Sequence, residues 1–117
     1  MVNMSEKLYD LEPLNTLVEG NEKFRKYLIE LFIQTTPPIL HDLKSSFEAG
    51  DFTSLYAHAH KLKPTLDSMG IYTMKQVVND ILQQAKSQKG GELLKGNVHT
   101  LCHTIDKAIL QLQNNEL

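Results

Sequence analysis

Three positions separate His60 from Lys63 in the run Ala59-His60-Lys61-Leu62-Lys63-Pro64. On an α-helix that spacing sets both side chains on neighbouring lines of one face. An unprotonated imidazole nitrogen is a nucleophile, and an ordinary pKa of about 6.5 leaves much of it in that form at neutral pH. A nearby ammonium balances the charge of a phosphoryl group placed on such a ring. The pair therefore suits a phosphoryl acceptor.

The surrounding residues predict which way these groups point. Turning roughly 100° per residue, Leu55, Ala59, Leu62, Leu66 and Met69 fall within about 40° of one line, which is the expected buried stripe. His60 lands about 140° from Leu55, Asp67 about 120° and Lys63 about 80°, so all three are expected outside. His58 falls only about 60° from the stripe and is expected at the flank, hydrogen-bonded near the core. Helix geometry by itself also fits a merely solvated histidine and lysine.

His60-x-Leu62-Lys63, with Ala59 before it and Gly70 ten residues after His60, resembles the signature of histidine-containing phosphotransfer (HPt) domains. The Tyr9-Asp10-Leu11 opening, the Gly50-Asp51 junction and the overall length resemble that family too. The resemblance decides for the acceptor. It implies a phosphorelay intermediate in which His60 takes a phosphoryl group on Nε2 from a receiver-domain aspartate and passes it to another receiver. Lys63 would stabilise the phosphoryl charge, and Tyr56, Pro64 and Asp67 would touch the receiver. Magnesium is expected on the receiver and no cofactor on this chain. A hybrid histidine kinase is a further implied partner.

One position departs from the family. Many members carry glycine after the lysine, and Pro64 stands there in this chain. Proline has no N–H to give the His60 carbonyl four residues back, so a tolerated local kink is expected. The chain has no Gly-rich phosphate loop, no Walker-type lysine and no carboxylate cluster suited to magnesium, so ATP binding and autonomous kinase activity are not expected. The rival reading, from another class, is a non-catalytic helical adaptor that binds a receiver domain.

Composition narrows the classes. A chain of 117 residues, 41% hydrophobic, is large enough for one core, and residues 1–117 are read as a single domain and a monomer. With a formal net charge of −2 and scattered lysines, nucleic acid is not an expected ligand. The lone Cys102 forbids an internal disulfide and fits a reducing compartment. The stretch from Met1 to Lys7 leads into no sustained apolar run, so neither a leader nor a span is read there. A cytoplasmic protein is the expectation, and its own caps and starting methionine favour a freestanding one.

The elements that must hold His60 all read with helical period, and no segment alternates as a strand would. The fold expected is all-α: an antiparallel up-and-down four-helix bundle with a short N-terminal helix packed across one end. Asp10 is expected to cap that short helix, which carries Leu14, Leu17 and Val18 and ends at Gly20. Asn21 caps the next, with Phe24, Tyr27, Leu28, Leu31 and Phe32 as its apolar repeat. Pro37 and Pro38 are expected to interrupt it, a new or kinked helix then carrying Ile39, Leu40, Leu43 and Phe47 inward to Gly50.

Asp51 and Gly70 bound the helix of His60. A helix over 73–86 follows, with Met74, Val77, Val78, Ile81, Leu82 and Ala85 on one face. The last, over 92–113, buries Leu94, Val98, Leu101, Ile105, Ala108 and Leu112.

Other histidines carry less. His99 and His103 stand at i and i+4, a spacing that can hold zinc, with Cys102 and Asp106 nearby. Cys102 points elsewhere on the wheel, so a solvated polar face is read and no metal site is assigned. His41 has no neighbour that suggests catalysis. The inward Glu and Glu-x-x-His pairs of a di-iron bundle do not occur.

Overall fold

The computed structural model describes residues 6–117, and every regular element among them is helical. The opening residues 1–5, most of the stretch read above as free of a leader or span, lie outside them. The order is α1 (Glu12–Val18), α2 (Glu22–Glu48), α3 (Phe52–Ser68), a 3-10 turn (Tyr72–Met74), α4 (Lys75–Lys86) and α5 (Glu92–Glu116). The four longer helices pack in a closed order, α2 on α3, α3 on α4, α4 on α5 and α5 on α2, while α1 rests on α2 and α3. Among the described residues no helix is long and apolar enough to cross a membrane.

The expected stripe of α3 is buried throughout: Leu55, Ala59, Leu62, Leu66 and Met69 all lie in the core. So do the predicted inward positions of α5 and, except for a half-buried Val77, of the segment from Met74 to Ala85. Burying a leucine or isoleucine side chain contributes about 1.5–3 kcal/mol each, which makes this stripe the main determinant of how α3 is rotated and which residues it turns outward.

Three expectations are corrected. First, α2 is one continuous helix through Pro37 and Pro38, so no new helix begins there. Its stripe of Ile29, Phe32, Thr36, Leu40 and Leu43 runs buried across the prolines. Both prolines are exposed, and the burial on the opposite face offsets an interior-proline cost of roughly 3 kcal/mol.

Second, of the apolar repeat at the start of α2 only Phe32 is buried in the core, with Leu28 packed against it. Phe24, Tyr27 and Leu31 are exposed and Leu28 is half-buried, because the core-facing line is set by Ile29, Phe32 and Thr36. Leu17 of α1 is likewise 67% exposed.

Third, Asp10 does not cap α1. The N-cap is Leu11, without a side-chain bond, and Asp10 Oδ1 accepts the Glu12 N–H at 3.0 Å, two residues on. Asn21 and Asp51 do cap α2 and α3, their Oδ1 atoms accepting the N–H groups of Phe24 (3.0 Å) and Ser54 (3.1 Å). Hydrogen bonds from Ser54 hold the Asp51 carboxyl below the usual carboxylate range.

α3 ends on Gly70 in the left-handed region, φ 62°. The Ile71 N–H donates to the Leu66 carbonyl (2.9 Å) and the Gly70 N–H to that of Asp67 (3.2 Å), which is a Schellman closure. Gly70 is also where the N-terminal segment lands, since the Asp10 N–H donates to the Met69 carbonyl at 3.1 Å.

That segment is fastened to the far end of the chain as well. The buried Tyr9 donates its hydroxyl to Glu116 Oε2 (2.8 Å), Arg25 Nη2 donates to Glu116 Oε1 (2.7 Å), and the Leu8 N–H donates to Gln111 Oε1 (2.9 Å). Burial raises the Tyr9 phenol above its ordinary value. Burial also opposes ionisation of Glu116, but the hydrogen bonds from Arg25 and Tyr9 outweigh it and hold that carboxyl low.

Candidate functional site: the outer face of α3

His60 lies in the middle of α3 with its side chain exposed, as the buried stripe on the opposite side requires. One turn earlier, the ring of Tyr56 stacks on it, 17° from parallel with centroids 6.1 Å apart. Lys63 is exposed and forms no ion pair among the described residues. It lines an open groove of about 410 Å³ between α3 and α4, together with Tyr56, Asn79, Gln83 and Lys86. Asp67 is engaged differently, its Oδ1 pairing with Lys75 Nζ of α4 at 3.2 Å. Asp80, whose Oδ1 accepts from Gln76 Nε2 (2.9 Å), lines the same groove as Lys63 without pairing with it.

Pro64 is exposed one turn after His60, and α3 runs unbroken through it. Without a proline N–H, the His60 carbonyl loses its usual α-helical donor four residues on. Two hydroxyls serve neighbouring carbonyls: Ser68 Oγ donates to the Pro64 carbonyl (3.0 Å) and Thr65 Oγ1 to that of Lys61 (3.5 Å). The outer face thus holds His60, Tyr56, Lys63, Pro64 and Asp67 together, all five at the surface.

His58 is set apart from them. It is half-buried, and its Nδ1 is buried with no hydrogen-bond partner, which corrects the expectation that this ring is hydrogen-bonded.

A feature missed in the sequence borders the same face. Beyond Thr65 and Ser68, on the side of α3 away from Lys63, lies a shallow apolar groove of about 210 Å³ walled by Leu14, Leu17, Leu28, Leu31 and Met69. Ser68 lies two turns after His60 on the line through Pro64, so the groove adjoins the histidine face. The exposed Leu17 and the surface stripe Phe24, Tyr27 and Leu31 were the available signal: apolar residues in excess of what one face of α2 can bury.

His99 and His103 are exposed on α5 with rings 6° from parallel and centroids 6.0 Å apart. They line an open cleft between α2 and α5 with Cys102, Lys44, Lys95 and Asp106. Burial, reinforced by Asp106, pushes the Cys102 thiol up, away from the reactive thiolate. Among the described residues no group of three or more His, Cys, Asp or Glu is placed to hold a metal ion.

A helical domain that turns a histidine outward from the middle of a long helix, beside a lysine that forms no ion pair among the described residues, is built like a phosphohistidine carrier. The family model described as the Hpt domain matches residues 28–115, and the chain belongs to that family. No curated protein and no solved structure was found to match it. Hpt domains act in histidine phosphotransfer within phosphorelays, together with receiver domains and kinases.

Proposed function

We propose that this chain is a phosphorelay intermediate that carries a phosphoryl group on His60 between receiver domains. The observation that supports it most is the outward His60, with Lys63 one turn on and free of any ion pair among the described residues. A lone pair on Nε2 forms the N–P bond as the P–O bond to the receiver's aspartate breaks and the carboxylate leaves with its electrons. The other ring nitrogen keeps its proton. Lys63 balances charge on the phosphoryl oxygens. In this reading magnesium is carried by the receiver, and the chain has no kinase activity of its own.

The receiver docks over His60 and across the α1/α2/α3 groove, with Tyr56, Pro64 and Asp67 at the contact. An apolar surface next to a charged, reactive side chain supports such a partner, because it provides burial around a polar centre. The same reading takes the molecule as a single domain, monomeric and cytoplasmic. It takes the four long helices as an antiparallel up-and-down bundle, supported by their short connections and closed packing order.

Incubation with a receiver carrying aspartyl phosphate tests the proposal. Acid-labile, base-stable label is expected on the wild type and none on His60→Gln. Retained label on His60→Gln contradicts it. Receiver binding that survives His60→Ala, with no label on the wild type, favours the adaptor.

A further inference from the structure

The His60 side chain makes no hydrogen bond or ion pair among the described residues, and the aromatic ring beside it is that of Tyr56. Centroids 6.1 Å apart with planes 17° from parallel fall in the offset-stacked range that aromatic pairs favour. Tyr56 is a firm support. It is 38% exposed, against 58% for Tyr27 and 48% for Tyr72. Its place on the α3/α4 seam explains the difference, for it lines the clefts on both sides, one with Phe52 and Ala85, the other with Lys63 and Asn79. A tyrosine has only two side-chain torsions to fix, so the seam orders it at small entropic cost.

We propose that Tyr56 is a positioning residue for His60: its ring lies against the imidazole in an offset stack and biases the plane, so that a nitrogen edge faces outward. The inference rests on the phosphotransfer reading and adds a part to it. The attacking lone pair lies in the ring plane and must align with the breaking P–O bond, so an imidazole turning freely spends time with that lone pair misdirected. The stack disfavours those orientations before the receiver arrives. A small donor that tumbles freely finds any orientation of the ring, so the stack matters only when the donor is held by a protein.

Three proteins test this: wild type, Tyr56→Phe, which keeps the stack, and Tyr56→Leu, which keeps apolar packing at the seam but loses it. With a phosphorylated receiver as donor, Tyr56→Leu is expected to lower kcat about 5- to 50-fold, beyond any rise in KM from the lost receiver contact, while Tyr56→Phe keeps kcat within about threefold of wild type. With phosphoramidate as donor, all three are expected to label His60 at the same rate. The His60 ring-proton resonances should move in Tyr56→Leu and stay in Tyr56→Phe.

An unchanged kcat in Tyr56→Leu overturns the inference, as does a raised KM at constant kcat, which would make Tyr56 a partner contact only. A Tyr56→Phe variant as slow as Tyr56→Leu overturns it too. If Tyr56→Leu does not fold, the comparison moves to Tyr56→Met, with the same expectations. A wild type that takes no label from the receiver contradicts the phosphotransfer reading itself, a result distinct from any of these.

Discussion

Gly70 lies so close under Asp10 that a Cβ built on it would overlap the Asp10 carbonyl oxygen and stand 2.7 Å from both its N and Cβ. The glycine that ends the His60 helix is therefore also the seat of the N-terminal segment. Its φ of 62° adds a second penalty for any side chain. Gly70→Ala is expected to destabilise the fold by roughly 2–5 kcal/mol, from left-handed strain together with overpacking. Urea unfolding measures it, and a loss under about 1 kcal/mol would show that the segment shifts away freely.

The Tyr9–Glu116–Arg25 cluster predicts how stability depends on pH. The Glu116 carboxyl is held below its ordinary value of 4.5, so its contribution is fully present above that value and is lost as pH falls through the lower folded value. Tyr9 is raised above 10.0, so its contribution is present below that value and lost as pH rises through the higher folded one. Glu116→Gln is expected to cost about 1–3 kcal/mol at neutral pH and to flatten the acid limb. Thermal unfolding between acid and neutral pH checks this, and an acid limb as steep as wild type would assign it to other carboxylates.

Lys63 is exposed and forms no ion pair among the described residues, so removing it should leave the fold intact and slow the chemistry. Lys63→Ala is expected to reduce transfer from a receiver about 10- to 100-fold, the equivalent of one charge-assisted hydrogen bond. Stopped transfer reactions read the rate. A wild-type rate would remove the lysine from the mechanism.

The α1/α2/α3 groove predicts a binding defect without a folding defect. Leu17 is 67% exposed, so Leu17→Asp should change the unfolding midpoint little. It should weaken receiver binding about tenfold or more, while phosphoramidate labelling of His60 stays at the wild-type rate. Calorimetric titration with a receiver separates the two, and unchanged affinity would place the docking surface elsewhere.

The helix of His60 was readable from local signals because Leu55, Ala59, Leu62, Leu66 and Met69 repeat cleanly and are bounded by Asp51 and Gly70. The neighbouring α2 was not, and the reasons are physical. Its core line includes Thr36, which no hydrophobic pattern would choose, while Phe24, Tyr27 and Leu31 advertise a face that the bundle leaves outside. Pro37 and Pro38 act locally as breakers, yet tertiary burial on the opposite face carries the helix through them.

Contacts such as Tyr9 with Glu116, 107 positions apart, leave no trace in local periodicity. At the site itself, spacing alone placed His60, Lys63 and Asp67 on the surface. The Asp67–Lys75 pair became visible only once α4 was packed beside α3.

The central claim is that one nitrogen of His60 accepts the phosphoryl group. Peptide mass mapping under non-acidic conditions, after transfer from a phosphorylated receiver, tests it most directly. A single phosphate on His60 is the predicted result. Phosphate on His58, His99 or His103 with His60 unmodified would contradict the account.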